Sequence, residues 1–143
     1  MKRKAAILGI KGVKLSNDEK YLLKKERPWG VIVFSRNVKS IYQLKNLILE
    51  IKKIFNDKKY PILIDQEGGR VNRLRSFLNS DSLTSEFFGK LYKKNLKKFN
   101  LYYDVFINQT SYLLKLIGVN INTVPVLDIR VKNASNIIGD RAF

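Results

Sequence analysis

Asp65, Glu67, Arg70 and Arg73 stand close together, directly after the apolar run Ile62-Leu63-Ile64 and around the pair Gly68-Gly69. An ionised carboxylate accepts hydrogen bonds and a guanidinium donates them from a rigid fork, so this group has the means to hold a polar ligand. The apolar run reads as a buried strand, and in a parallel α/β protein the residues just past a strand's C-terminal end line the ligand crevice. Asp65 and the arginines after it can converge there. Gly68 and Gly69 permit a tight turn and a close approach of the backbone. Plainer roles stay open at this point: a turn or helix-cap role for Asp65, and a surface or intramolecular ion pair for Arg73.

Side chains at a strand end are placed by the sheet behind them. Strand-like and helix-like runs alternate along the chain, the pattern of a parallel sheet wrapped by helices. Residues 6–10, 30–35, 61–65 and 119–127 read as four strands, the last broken in register by Pro125. Ser16 and Glu19 make a capping box that opens a short helix carrying Leu22 and Leu23, and Pro28 stops it. Ser40 caps the clearest helix, in which Ile41, Leu44, Leu47, Ile48, Ile51, Ile54 and Phe55 recur at three- and four-residue steps. After the polar loop comes a helix around Phe87, Phe88 and Leu91. A longer one follows, with Phe99, Tyr102, Tyr103, Phe106, Ile107, Leu113, Leu114 and Ile117 on its buried side and Gly118 as its C-cap. No repeat and no Pro-, Gly- or Ser-rich linker divides the chain, so it reads as one continuous unit.

The 143 residues, 45% of them hydrophobic, are enough for one ordinary domain with a real core. The sequence has no cysteine and no histidine. Disulfides and thiolate metal sites are excluded, no metal or cofactor is expected, and acid/base chemistry within these residues would have to use Asp, Glu, Lys or Tyr. Met1-Lys2-Arg3-Lys4 and the apolar residues after it are too short for a signal peptide, and no run approaches the roughly 18 apolar residues of a membrane span. A cytoplasmic, soluble protein without a membrane partner is expected. The sequons at Asn108 and Asn133 then carry no glycan. A net charge of +16 raises the alternative of nucleic-acid binding. The lysines are spread along the chain, however, and the one dense cluster, Lys93, Lys94, Lys97 and Lys98, falls at helical spacing on what reads as a solvent face. No nucleic-acid partner is therefore expected.

The stretch Asp65-Gln66-Glu67-Gly68-Gly69-Arg70-Val71 resembles a signature of glycoside hydrolase family 3, most closely of its β-N-acetylhexosaminidase branch. Upstream, Gly30-Val31-Ile32-Val33-Phe34-Ser35-Arg36-Asn37 resembles the family's second strand and its exit. Downstream, Asn122-Thr123-Val124-Pro125-Val126-Leu127-Asp128 and Ile138-Gly139-Asp140-Arg141-Ala142-Phe143 resemble its fourth strand and the loop that follows. Order and spacing agree over almost the whole chain. The resemblance implies that the four strands are the N-terminal half of a (β/α)8 TIM-type barrel, so residues 1–143 read as a partial family 3 N-terminal domain, a truncated barrel with strand edges left unpaired.

The same resemblance implies a retaining, two-step hydrolysis of N-acetylglucosaminides in peptidoglycan recycling, through a covalent glycosyl-enzyme. In the family the sugar is bound by the aspartate matching Asp65 and by arginines matching Arg73 and Arg141. For Arg141, too, an ion pair within the protein is the plainer reading. Arg70 is expected to tie to Glu67 or Asp128 and brace the loop, and Asn37, Asp128 and Asp140 are expected to be scaffold. Glycoside hydrolysis commonly uses two carboxylates roughly 5 to 9.5 Å apart. Asp65 and Glu67 meet that spacing but leave one strand edge in the same direction, whereas acid and nucleophile must bracket the scissile bond, so the pair is not read as catalytic. The family's acid/base histidine and its aspartate nucleophile have no counterpart in this sequence. A substrate-binding half with no catalytic residue of its own is expected, inactive alone. The alternatives are a non-catalytic remnant that binds a sugar or a partner chain, and a basic nucleic-acid-binding protein. The sequence leaves the oligomeric state open.

Overall fold

The computed structural model describes residues 2–131 and 136–143, and the sequon at Asn133 lies outside the described residues. Four strands, β1 (Lys4–Gly9), β2 (Pro28–Val33), β3 (Ile62–Ile64) and β4 (Ile121–Asn122), form one sheet in the order β1-β2-β3-β4. Every adjacent pair is parallel, with Ile7 beside Gly30, Val31 beside Ile62 and Leu63 beside Ile121. Helices α1 (Asn17–Glu26), α2 (Ile41–Ile54), α3 (Ser85–Lys94) and α4 (Leu96–Ile117) connect the strands, which gives the α/β architecture expected from the sequence.

The core lies between the sheet and its helices. Val31, Val33, Ile62 and Ile64 are buried against Leu44, Leu47, Ile48 and Ile51 of α2 and against Leu114 and Ile117 of α4. Because side chains alternate along a strand, Leu63 and Asp65 share the opposite face. That face is where the chemistry-bearing carboxylate emerges.

Sequence signals for the helices hold in detail. At α1 the Glu19 amide donates to Ser16 Oγ at 3.1 Å, and the Ser16 amide donates to the Glu19 carboxylate at 2.9 Å. Burial works to raise the Glu19 carboxyl, but hydrogen bonds from the Ser16 and Lys11 amides outweigh it and hold the group below its usual range. Ser40 caps α2, and Gly118 ends α4 in the left-handed conformation with φ 93°. Helices α3 and α4 pack through an aromatic cluster in which Phe88 meets Tyr103 edge-on at 4.9 Å and Phe99 stacks on Tyr103 at 5.1 Å.

Boundaries shift at three places. The first two strands begin earlier than the sequence suggests, β1 at Lys4 and β2 at Pro28. The fourth is only Ile121–Asn122, where a run over 119–127 is expected. Its ladder is continued by side chains: Asn120 Oδ1 accepts from the Ile62 amide at 2.8 Å and Asn122 Oδ1 from the Gln66 amide at 3.0 Å, while Pro125 has no N–H to offer. On α4, Phe106, Thr110, Leu114 and Ile117 define the buried face. Tyr102, expected inside, is 48% exposed, and Ile107 is exposed as well, because both sit on the flanks of that face.

The exits of β1 and β2 are stapled by one buried amide. Asn37 Oδ1 accepts from the Phe34 amide at 2.9 Å, and its Nδ2 donates to the carbonyls of Ile10 at 3.1 Å and Gly12 at 2.9 Å. This is the scaffold role expected of it. Asn37→Ala strands the Phe34 amide and the Gly12 carbonyl, while the Ile10 carbonyl keeps Arg36 Nε at 2.9 Å, so it should lower stability by about 2 kcal/mol, read as a fall in the urea midpoint at unchanged slope. A midpoint equal to that of the parent chain would show that the staple is dispensable.

Candidate functional site

Gly68 and Gly69 set the turn that brings Arg73 back to Asp65. Both have positive φ, 93° and 55°, and a Cβ on Gly68 would lie 2.3 Å from the Leu83 carbonyl oxygen. Only glycine fits there. The loop is then fixed from inside by two buried amides: Gln66 Oε1 accepts from the Arg73 amide at 2.9 Å, Gln66 Nε2 donates to Asn72 Oδ1 at 3.0 Å, and Asn72 Nδ2 donates to the Leu78 carbonyl at 2.7 Å.

Asp65 follows β3 directly, its side chain 27% exposed. Arg73 Nη2 donates to one carboxylate oxygen at 3.2 Å, and Thr123 Oγ1, arriving from the neighbouring β4 exit, donates to the other at 2.5 Å. The Arg73 guanidinium lies 5.7 Å from the centre of the Phe34 ring, which Arg36 also covers at 4.6 Å. So the exits of β2, β3 and β4 converge on one carboxylate that is held at both oxygens and stays partly exposed. Such a group can accept from two neighbouring hydroxyls of a sugar ring.

Arg141 lies in another part of the loop system. Its Nε and Nη2 donate to the two oxygens of Glu67 at 2.8 Å each, and the Glu67 side chain is only 9% exposed. Those hydrogen bonds first, and the charges of Glu67, Asp128 and Asp65 after them, raise the Arg141 pKa above its ordinary value. Arg141 is therefore within electrostatic reach of Asp65, but its own partner is Glu67. The ion-pair reading left open for both arginines is realised in this structure, for Arg73 with Asp65 and for Arg141 with Glu67.

Arg70 corrects one expectation. Rather than Glu67 or Asp128, it pairs with Asp140 at 3.0 Å and donates to the carbonyls of Ile137 and Ile138. Glu67 is already taken by Arg141 in a two-point pair. The bracing role stands with a different partner, and Asp140 is scaffold through it. Asp128 contributes its carbonyl, which accepts from the Phe143 amide at 3.1 Å.

Glu67→Gln should leave Arg141 with a neutral partner in a largely dry site and cost about 2 kcal/mol. Thermal unfolding would read it as a lower midpoint, and an unchanged midpoint would deny the pair a structural role.

A cavity of about 280 Å³ opens between α4 and the β4 exit, lined by Phe88, Phe106, Leu114, Asn122, Val124 and Glu67 among others. Its wall is mostly apolar, and Asp65, Arg73 and Thr123 are not part of it. The niche beside Arg141 and Asp140 holds only about 10 Å³, too little for a sugar. The charged groups Asp65 and Arg73 lie instead at the strand ends.

Thr123 and Phe34 are members of this arrangement that the sequence pattern does not mark as site residues. Both lie inside stretches already singled out there. The signal for Thr123 was its place one residue beyond a strand that neighbours the one ending at Asp65.

The family model described as the glycosyl hydrolase family 3 N terminal domain matches residues 1–143. A protein named beta-hexosaminidase from Alkalilimnicola ehrlichii is 36% identical over 139 residues, covering 96% of this chain and 38% of that protein. Another of that name, from Thioalkalivibrio sulfidiphilus, is 33% identical over 137 residues, covering 96% and 39%. The chain spans about two fifths of the length of these relatives. Among solved structures, native NagZ from Neisseria gonorrhoeae superposes with a TM-score of 0.84 at 27% identity, covering 97% of this chain and 40% of that one. NagZ from the same organism in complex with N-trifluoroacetyl-D-glucosamine gives 0.77 at 27% identity, covering 97% and 41%. Four parallel strands with flanking helices fit half of a TIM-type barrel.

Proposed function

This chain belongs to glycosyl hydrolase family 3, and from that membership we propose that its strand ends hold an N-acetylglucosamine-containing saccharide for a β-N-acetylhexosaminidase. The observation that carries the reading is the Asp65 carboxylate, aimed by Arg73 and Thr123 at the mouth of the sheet and still open to solvent. It fixes the sugar through its hydroxyls. Arg73 pairs with that carboxylate and sets its donor fork beside the sugar's place, and Arg141 completes the set from the Glu67 side. The names of the relatives, and the N-trifluoroacetyl-D-glucosamine bound to a NagZ, support this choice of sugar.

The chemistry is retaining hydrolysis, in which a carboxylate nucleophile forms a glycosyl-enzyme that water then opens. These residues do the holding and not the cutting. The sequence has no histidine to act as acid/base, and its two strand-end carboxylates are engaged with Arg73, Thr123 and Arg141. Work on cell-wall fragments during peptidoglycan recycling in the cytoplasm is the setting that fits this activity.

Saturation-transfer NMR on the chain with N-acetylglucosamine tests the reading. Transfer to the ring protons and to the N-acetyl methyl is expected, with galactose as the weaker comparison. Absence of transfer to N-acetylglucosamine at millimolar sugar would sink it.

A further inference from the structure

Helix α4 is apolar on two faces. Its inner face packs on the sheet through Phe106, Thr110, Leu114 and Ile117. At about 100° per residue, Leu101, Val105, Tyr112 and Leu116 fall together within an arc of about 60° on the opposite side. They lie in the open: Leu101 is 60% exposed, Val105 57% and Tyr112 67%. The stripe runs about 22 Å along the helix. It faces away from the sheet, so packing against the core does not account for it.

Where α3 meets α4, Lys93, Lys94, Lys97 and Lys98 are all exposed, with Tyr92 and Leu96 exposed among them. None of the four lysines has an ion pair with a carboxylate among the described residues. Asn95 caps both helices at this junction, ending α3 and starting α4, so the charges are gathered by the bend in the chain as well as by helical spacing. A basic cluster thus continues directly into an aliphatic and aromatic stripe on one long helix.

We propose that this face of α4, with the lysines at its N-terminal end, docks the protein on an anionic phospholipid bilayer. The helix lies in the plane of the interface, its lysines against lipid phosphates and Leu101, Val105, Tyr112 and Leu116 turned toward the acyl boundary. Lying is distinct from spanning, and among the described residues no helix is long and apolar enough to cross a membrane. Charge decides between occupants. A second copy would bring a chain of net charge +16 against another of the same sign. An RNA would use the lysines and tyrosines but gains nothing from Leu101, Val105 and Leu116, since aliphatic side chains offer bases no stacking face.

Co-sedimentation of the chain with vesicles tests this, using equal parts phosphatidylglycerol and phosphatidylcholine against phosphatidylcholine alone. Pelleting with the anionic vesicles only is expected, weakening as salt is raised. Replacing Lys93, Lys94, Lys97 and Lys98 by Gln should lower the apparent partition coefficient at least about tenfold. Leu101→Asn with Val105→Asn, both at exposed positions, should lower it as strongly while the circular dichroism spectrum stays that of the parent. Equal pelleting with neutral vesicles, or pelleting undiminished in both variants, would overturn the proposal. So would a dimer in sedimentation velocity that Leu101→Asn with Val105→Asn dissolves, or an RNA gel shift lost with the lysines, if either came without vesicle binding.

Discussion

Asp65→Ala should lower the affinity of the chain for N-acetylglucosamine by more than about a hundredfold. A hydrogen bond to a charged acceptor is worth about 1.5 kcal/mol or more, and a carboxylate that takes two sugar hydroxyls loses both on truncation, about 3 kcal/mol together. The variant also strands Arg73 Nη2, which loses its acceptor, and leaves Thr123 Oγ1 only the Ile64 carbonyl at 3.3 Å. Asp65→Asn keeps the shape and one acceptor, and it should fall between the two. Thr123→Val separates orientation from contact: it removes a hydroxyl that holds Asp65, so its loss should be the smaller one, about tenfold. Calorimetric titration measures all of these. An Asp65→Ala chain that binds as the parent does would remove the sugar from this strand end.

The second large effect is a rate. The isolated chain should release chromophore from an aryl N-acetylglucosaminide no faster than buffer does, although a complete hydrolase gains six orders of magnitude or more. Two carboxylates alone do not make such a site, because acid and nucleophile must stand on opposite sides of the bond being cut. Here Asp65 is held by Arg73 and Thr123 and Glu67 by Arg141, and neither is placed as a poised acid. Histidine, the commonest acid/base residue, is absent from the sequence. Steady turnover that disappears with Asp65→Ala or Glu67→Gln would assign the chemistry to these residues after all.

The parts of the fold legible in sequence are those specified by local physics. Ser16 with Glu19 and Ser40 announce helix starts because their side chains satisfy orphan amides, and Gly118 announces an end because it tolerates the left-handed turn. The apolar period of α2 was plain for the same reason: one face meets the sheet and the other meets water. Strand β4 is shorter than its apolar run because Asn120 and Asn122 complete its ladder with side-chain amides, a contribution that hydropathy cannot report. Tyr102 and Ile107 read as inside in sequence but lie exposed, because α4 carries apolar residues on more than one face and periodicity alone does not say which face the sheet takes.

At the site, Asp65 with Arg73 followed from a strand end and a glycine turn. The partner of Arg70 is not legible in sequence, since the choice among Glu67, Asp128 and Asp140 depends on Arg141 claiming Glu67 from across the chain. Thr123 is not legible as a site residue for a related reason. Its value lies in the order of strands, which sets the β4 exit beside β3, and not in its own neighbours in sequence.

A crystal of the chain soaked with N-acetylglucosamine tests the central claim most directly. Ring hydroxyls of the sugar within hydrogen-bond distance of the Asp65 carboxylate, with Arg73 alongside, are the expected result. Sugar seated elsewhere, in the apolar cavity between α4 and the β4 exit for example, with the strand ends of β2, β3 and β4 holding only water, would contradict it.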